Sequence, residues 1–181
     1  SDTTRADLDL EPVLLSRLAE DVARQMQMLA VGQDVSITVE ASGDAIVDGD
    51  EQRLRELLII LLDNAVKYTD SGGSITVKVA RDGKTVVLSI ADTGRGIPPD
   101  ALARVFDRFY RVDKARSREL GGTGLGLAIA KWIVDAHAGA IGIDSEVGRG
   151  TTVTVRLDAL SGEPEWTDAL GEAGSVEEGP A

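Results

Sequence analysis

The chain contains no cysteine and only one histidine, His137, and aromatic residues make up just 3% of its 181 residues. Without thiols it can form neither disulfides nor thiolate metal sites, which suits a reducing compartment. No apolar run reaches the roughly 18 residues of a membrane-spanning helix. The N-terminus also lacks the apolar stretch of a secretory signal. We therefore expect a piece of a cytoplasmic protein, with the alternative that it is the cytosolic part of a membrane-bound one.

Acidic residues outnumber basic ones by 31 to 19, so the net charge is −12. This balance argues against a nucleic-acid partner held through its phosphates. Half of this net charge lies in residues 159–181, which carry six acidic residues and no lysine or arginine. We expect this acidic tail to be solvated and disordered. The 43% hydrophobic content of the chain is enough for one globular domain before it.

Apolar periodicity predicts three main helices, at residues 11–31, 50–68 and 123–138. Alternating apolar residues predict strands at residues 35–39, 45–48, 74–80, 85–91, 140–145 and 151–157. Asp82-Gly83 and the turn at 147–150 indicate two hairpins, and Pro98-Pro99 opens a short helix towards Phe106. This order predicts an α/β two-layer sandwich, in which a mixed, mostly antiparallel sheet of about five strands carries three helices on one face.

Asp92 lies at the end of an alternating strand and begins the segment Asp92-Thr-Gly94-Arg-Gly96-Ile97. An ionised carboxylate only accepts hydrogen bonds, so it suits the N6 amine of adenine and not the carbonyl of guanine. Gly94 and Gly96 allow close backbone approach or positive φ. The alternative is an ordinary Asp-Thr-Gly turn after a strand.

Asn64, Lys67 and Tyr68 lie near the end of the second predicted helix. The amide oxygen of Asn64 is a suitable ligand for Mg²⁺. Three residues on, Lys67 can reach a phosphate as a point charge, and Tyr68 offers a hydroxyl. The alternative is that these are solvated polar residues near a helix end.

The segment Gly121-Gly122-Thr123-Gly124-Leu125-Gly126-Leu127 places four glycines in six residues directly before a helix. Exposed backbone amides and the helix dipole at such a position favour phosphate oxygens. The segment has neither the Gly-Lys-Ser/Thr of a Walker loop nor the preceding strand of a dinucleotide fingerprint. A flexible linker remains the alternative.

Between the two glycine segments lies Phe106-Asp-Arg108-Phe109-Tyr-Arg111, which holds both phenylalanines of the chain. One interpretation is an amphipathic turn that buries Phe106 and Phe109. The other adds that Arg108 and Arg111 approach nucleotide phosphates when the charged stretch 107–121 closes as a lid.

With these four segments in this order, residues 34–157 resemble the ATP-binding catalytic domain of sensor histidine kinases, within the group that includes DNA gyrase, Hsp90 and MutL. The resemblance implies ATP and Mg²⁺ as cofactors and an ATP lid at about 107–121. It implies Asn64 as the magnesium ligand, Asp92 as the adenine ligand, and a pocket and phosphate border formed by the remaining motif residues. These are Lys67, Tyr68, Gly94, Gly96, Ile97, Arg108, Arg111, Gly122, Thr123, Gly124, Leu125, Gly126 and Leu127.

This chain departs from the family's pattern in two ways, and both limit the activity that the resemblance implies. Four residues before Asn64, where hydrolysing relatives have an acidic residue, this chain has Ile60, which cannot act as a base. No segment matches the phosphoacceptor module of sensor kinases, and His137 at a predicted helix end suits packing or capping. We therefore expect a monomeric catalytic fragment without catalytic residues of its own. Its acceptor histidine would lie on a separate dimerisation module, and the phosphoryl group would pass on to a response regulator.

These features divide the chain into an entry segment at residues 1–31, a catalytic domain at 32–158 and the acidic tail. Three alternatives stay open at this level. They are a serine kinase of the anti-sigma-factor type, a regulatory module that binds nucleotide without chemistry, and an ATP-driven clamp.

Overall fold

The structure is a computed structural model that describes residues 7–111 and 124–162. The strands in these ranges are β1 (Glu11–Leu14), β2 (Ser36–Ala41), β3 (Ile46–Gly49), β4 (Ser74–Asp82), β5 (Thr85–Asp92), β6 (Ala140–Glu146) and β7 (Gly150–Asp158). The helices are α1 (Leu15–Ala30), α2 (Glu51–Tyr68), α3 (Pro99–Leu102) and α4 (Gly126–Ala136), with one 3₁₀ turn at Val31–Gln33.

The main sheet has five strands in the order β2-β4-β5-β7-β6. Only β2 and β4 are parallel, and the other neighbours are antiparallel. Alternate residues of β5, Val86, Leu88 and Ile90, are buried beneath the helices. The hydrophobic core combines such strand residues with apolar residues of α1, α2 and α4. The predicted two-layer sandwich with a mostly antiparallel sheet and three main helices is confirmed.

A second, two-stranded sheet overturns part of the first helix prediction. Residues 11–14 form β1, which pairs antiparallel with β3, and α1 begins only at Leu15. Val13, whose spacing fits the helical stripe, is buried through this strand pairing instead. A short run with few apolar residues fits both the helical and the strand periodicity, so pairing with a distant strand decides the local structure.

The boundaries of α2 match the prediction because its sequence carries both a long apolar stripe and a cap. The Asp50 carboxylate accepts a hydrogen bond from the backbone N–H of Arg53 at 3.1 Å, which satisfies one of the free amides of the first turn. Asp50 also accepts from the N–H of Asp9. Burial raises the pKa of Asp50, but these hydrogen bonds, together with electrostatic interactions with His137 and Arg53, outweigh it and leave the pKa below its usual value.

The third main helix is shorter than predicted, since α4 runs only from Gly126 to Ala136. Its C-terminal turn is closed by two hydrogen bonds, from Ala138 N–H to Asp135 O and from Gly139 N–H to Val134 O. The left-handed residue of this turn is Ala138, with φ of 56°, and not the expected glycine. Gly139 has a different role, because a Cβ there would lie 2.5 Å from the carbonyl oxygen of Arg156.

The Pro98-Pro99 segment forms only the four-residue α3, and turns follow it to residue 109. Most of the predicted lid, residues 112–121, and most of the acidic tail, 163–181, lie outside the described residues. None of the described helices is long and apolar enough to cross a membrane.

Candidate functional site

Asp92 is the last residue of β5, and its side chain lies on the helix-facing side of the sheet, where the core residue Ile90 also points. Its Oδ1 accepts two backbone hydrogen bonds, from Gly94 at 2.9 Å and from Thr151 at 3.2 Å. No described residue donates to its Oδ2. The carboxylate is therefore fixed through one oxygen, and the other is left to accept from a ligand.

Burial raises the pKa of Asp92 above its ordinary value of 3.8, although the hydrogen bonds from Gly94 and Thr151 act in the opposite direction. A half-buried carboxylate with a raised pKa at the end of a central strand is typical of a binding or catalytic position.

The glycines after Asp92 allow its loop to touch two other elements. A Cβ on Gly94 would collide with the carbonyl oxygen of Tyr68 at the end of α2. Gly96 has φ of 75°, and a Cβ on it would collide with the backbone of Glu146 at the end of β6. The close approach expected at these glycines is therefore to neighbouring protein backbone. The backbone N–H of Ile97 donates to Ser145 Oγ at 2.7 Å and continues this contact.

The end of α2 carries the three predicted polar residues, all half-buried: Asn64, Lys67 and Tyr68. The Lys67 ammonium forms an ion pair with Asp63, one turn earlier, at 2.8 Å. An ammonium has three donors, and the predicted approach of Lys67 to a phosphate stays a prediction. The carbonyl of Tyr68 accepts from Arg95 N–H at 3.4 Å, which ties the Asp92 loop to this helix end.

The start of α4 contacts the same helix two turns earlier. A Cβ on Gly126 would lie 3.4 Å from Ile60 Cγ2, so the glycine brings α4 close to α2. Leu125 is the N-cap residue of α4, and Leu127 packs against the core. Ile60 and Tyr68 are eight residues apart, or about 12 Å along the helix. Helix α2 thus joins the Asp92 loop to the glycine segment before α4.

The two ends of the predicted lid meet at its base. The backbone N–H of Phe109 donates to Gly124 O at 2.9 Å. Both residues have left-handed φ angles, 63° for Phe109 and 77° for Gly124. A Cβ on Gly124 would lie 2.7 Å from the carbonyl carbon of Phe109. Gly122 and Thr123, predicted to border the phosphates, lie outside the described residues.

The segment Phe106–Arg111, at the start of the predicted lid, is less buried than the amphipathic interpretation requires. Phe109 is 70% exposed, whereas Phe106 is half-buried. Arg108 is exposed and Arg111 half-buried, and no described residue pairs with either. The structure does not bring these two arginines into contact with Asp92, Asn64 or Lys67, and their predicted approach to phosphate stays a prediction.

Sequence reasoning missed Thr151 and Ser145. Thr151 opposes Asp92 across β5 and β7, and Ser145 opposes Thr151 across β6 and β7. The available signal was Gly150, because a glycine directly before a strand can mark close backbone approach. A Cβ on Gly150 would collide with Asp92 O. The pairing partner itself follows only from the sheet order.

Comparison with known proteins places this chain and its fold in a family. Residues 49–161 match the family model described as histidine kinase-, DNA gyrase B-, and HSP90-like ATPase. The sensor histidine kinase WalK of Bacillus subtilis (strain 168) is 46% identical over 129 residues, which cover 70% of this chain. The chain spans only about a fifth of that relative, 21% of its length.

Two solved structures share the fold. The mycobacterial sensor histidine kinase MprB superposes with a TM-score of 0.72 at 30% identity, and the match covers 82% of this chain and 97% of that one. Full-length ShkA in complex with AMPPNP superposes with a TM-score of 0.73 at 34% identity, covering 86% of this chain and 32% of that one. The chain therefore belongs to the histidine kinase-, DNA gyrase B- and HSP90-like ATPase family, with sensor histidine kinases among its relatives.

Proposed function

We propose that this chain is the ATP-binding catalytic domain of a sensor histidine kinase. The observation that carries the proposal is the Asp92 carboxylate, held by two backbone amides through Oδ1 and able to accept a ligand amine through Oδ2. Adenine supplies such an amine. The match to sensor histidine kinases, and the AMPPNP complex of the similar ShkA, support ATP as the nucleotide.

Around this anchor we assign the triphosphate to the space between α2 and the start of α4. Gly122, Thr123 and Gly124 would border the phosphates with backbone amides and a hydroxyl. Lys67 would donate one of its three protons while it keeps its ion pair with Asp63. Arg108 and Arg111 would add positive charge from the base of the lid.

We further propose Asn64 as the one protein ligand of Mg²⁺. The residue is half-buried near the end of α2, one turn beyond the contact of Ile60 with Gly126, and from this position its amide oxygen would reach an ion bound to the phosphates. A single amide oxygen fits a cation that takes most of its ligands from phosphates and water. The bound ion would neutralise phosphate charge during transfer.

The proposed reaction transfers the γ-phosphoryl group of ATP to an imidazole nitrogen and releases ADP. This domain would hold and orient the donor, and catalysis would come from positioning and charge neutralisation. Ile60 offers no base to activate water and packs towards Gly126. Slow hydrolysis in the absence of an acceptor is the expected consequence.

The acceptor histidine would belong to a dimerisation module of the same full-length protein, which would then pass the phosphoryl group to a response regulator. In this scheme residues 1–31 are the entry segment, 32–158 the catalytic domain with its lid at 107–121, and 159–181 an acidic tail. The domain would act in the cytoplasm as a monomeric unit without direct contact to a membrane or nucleic acid.

Phosphotransfer in trans tests this proposal. The chain is incubated with ATP labelled at the γ-phosphate, alone and with the separately produced dimerisation module of the same protein. We expect acid-labile label on the histidine of that module and none on this chain. At an ATP concentration below saturation, Asp92→Asn should slow the transfer by about tenfold or more, whereas Asp82→Asn, the same change in the distant β4–β5 hairpin, should preserve it. ATP binding without transfer to the module would favour a regulatory domain, and acid-stable label on serine of a partner would favour a serine kinase.

A further inference from the structure

Three polar side chains form a row across the end of the sheet. Asp92 of β5 opposes Thr151 of β7, and Thr151 opposes Ser145 of β6. Directly opposed residues in antiparallel strands point to the same face. This row therefore lies on the helix-facing side of the sheet, where the nucleotide is proposed to bind.

Ser145 is the most connected hydroxyl of the row. Its Oγ accepts from the backbone N–H of Ile97 at 2.7 Å and donates to the carbonyl of Gly150 at 3.0 Å. It also lies 2.8 Å from Thr151 Oγ1. A hydroxyl has one proton and two lone pairs, so these three partners use all of its capacity.

This inventory fixes the direction of the bond between the two hydroxyls. The single Ser145 proton is donated to Gly150, whose carbonyl can only accept. Thr151 must therefore donate its own proton to Ser145, and towards any third group Thr151 Oγ1 can act only as an acceptor. Its backbone N–H meanwhile donates to Asp92 Oδ1 at 3.2 Å.

Ser145 also fixes the loop that follows Asp92. Its bond to Ile97 holds the end of the Asp92–Ile97 loop against the β6–β7 turn, where Gly148 N–H donates to Arg95 O at 2.8 Å. The loop is thus bound at both ends, by Gly94 to Asp92 and by Ile97 to Ser145.

We propose that Ser145 is a positioning residue for base recognition, resting on the proposed ATP-binding function. Ser145 accepts the Thr151 proton and holds Ile97 in place. Towards the base, Asp92 and Thr151 can then act only as hydrogen-bond acceptors. Such a row pairs with the 6-amino group of adenine and opposes the 6-oxo group of a purine such as hypoxanthine. Ser145 would not touch the nucleotide, and it would set selectivity through Thr151 and Asp92.

The test compares ATP with inosine triphosphate, whose base carries an oxygen in place of the amine. Dissociation constants for both are measured by calorimetry on the parent chain, on Ser145→Ala and on Ser89→Ala. Ser89 lies on the opposite face of β5, between the buried Leu88 and Ile90, so it is a matched control. Removing the Ser145 hydroxyl frees the Thr151 proton to meet a carbonyl oxygen, and the preference for ATP should fall by about tenfold. Ser89→Ala should keep the parental preference.

An equal loss of affinity for both nucleotides would mean that Ser145 only supports the fold, and an unchanged preference would also overturn the proposal. If Ser145→Ala does not fold, Ser145→Cys fills the same space with a weak hydrogen-bonding group. If Ser145→Cys keeps the parental preference for ATP, the proposal is likewise overturned. Failure of the parent chain to bind ATP would instead refute the proposed function itself.

Discussion

The backbone N–H of Asp50 donates to His137 Nε2 at 3.0 Å, and this hydrogen bond joins the beginning of α2 to the end of α4. Nδ1 of the same ring lies 2.8 Å from the carbonyl of Ile133. An amide can only donate and a carbonyl can only accept, so the ring is neutral, with its proton on Nδ1. The side chain is 4% exposed, and both nitrogens are engaged. These contacts are those of a packing and capping residue, and neither nitrogen is presented to an incoming phosphoryl group.

Replacing His137 should therefore destabilise the domain. His137→Ala removes two hydrogen bonds, leaves the Asp50 amide without its acceptor and opens a cavity, so we expect a loss of about 2–4 kcal/mol. Urea unfolding followed by circular dichroism measures the change. Lys131→Ala, on an exposed position of the same helix, should change stability by no more than about 0.5 kcal/mol. A His137→Ala variant as stable as the parent would contradict this structural role.

Alanine substitutions at Gly96 and Gly148 distinguish two costs of adding a side chain, backbone strain and collision with neighbouring atoms. Both have left-handed φ, 75° and 84°, but a Cβ on Gly96 meets the Glu146 backbone, whereas one on Gly148 meets nothing within 4 Å. Gly148→Ala should cost about 1 kcal/mol from backbone strain alone. Gly96→Ala should cost clearly more and weaken ATP binding, because the Asp92 loop must shift. Thermal unfolding and calorimetry on both variants measure this, and equal effects at the two sites would show that the loop contact is unimportant.

The raised pKa of Asp92 gives adenine recognition a pH dependence. Only the ionised carboxylate is a pure acceptor, so the preference for ATP over purine riboside triphosphate, which lacks the amine, should decline as the pH falls towards this pKa. The decline should begin above the range of an ordinary carboxyl with pKa 3.8. The phosphates of the two nucleotides titrate alike and cancel in the ratio. A preference that is flat down to pH 4 in the parent would contradict ionised Asp92 as the reader of the amine.

The raised pKa of Asp92 also makes the stability of the fold depend on pH, but here a rise in pH is unfavourable. Because the folded-state pKa lies above the unfolded one, the folded protein binds the proton more tightly, and stability declines as the pH rises from the unfolded to the folded pKa. At neutral pH the buried charge is unfavourable. Asp92→Asn, which keeps an acceptor for Gly94 and Thr151, should unfold at the parental temperature or above it at pH 7. A clear destabilisation there would show that the charge itself supports the fold.

The parts of the fold that local sequence dictates were predictable. Helix α2 has both its stripe and its Asp50 cap within one segment, and the β4–β5 hairpin has its turn signal between two alternating runs. The helical prediction for residues 11–14 failed because β1 exists only through pairing with β3, some 35 residues later. At the end of α4, Ala138 takes the left-handed conformation that the pattern assigns to glycine, since Gly139 is needed against Arg156.

The residues of the candidate site also divide into those that local sequence predicts and those that depend on strand pairing. Asp92, Gly94, Gly96 and Asn64 follow from motifs in continuous sequence, whereas Thr151 and Ser145 enter through the order β5-β7-β6, which no local pattern encodes. The sequence also predicts Lys67 as a residue near phosphate without revealing its ion pair with Asp63. That pair depends on the rotamers of two exposed or half-exposed side chains.

Calorimetric titration of ATP in the presence of Mg²⁺ into the parent chain, Asp92→Asn and Asp82→Asn tests the central claim most directly. Replacing an acceptor-only carboxylate by an amide should weaken ATP binding by about tenfold or more, with the fold intact by circular dichroism. Asp82→Asn should bind as the parent does. If Asp92→Asn binds ATP as tightly as the parent chain, Asp92 does not read adenine and the assignment of this site is wrong.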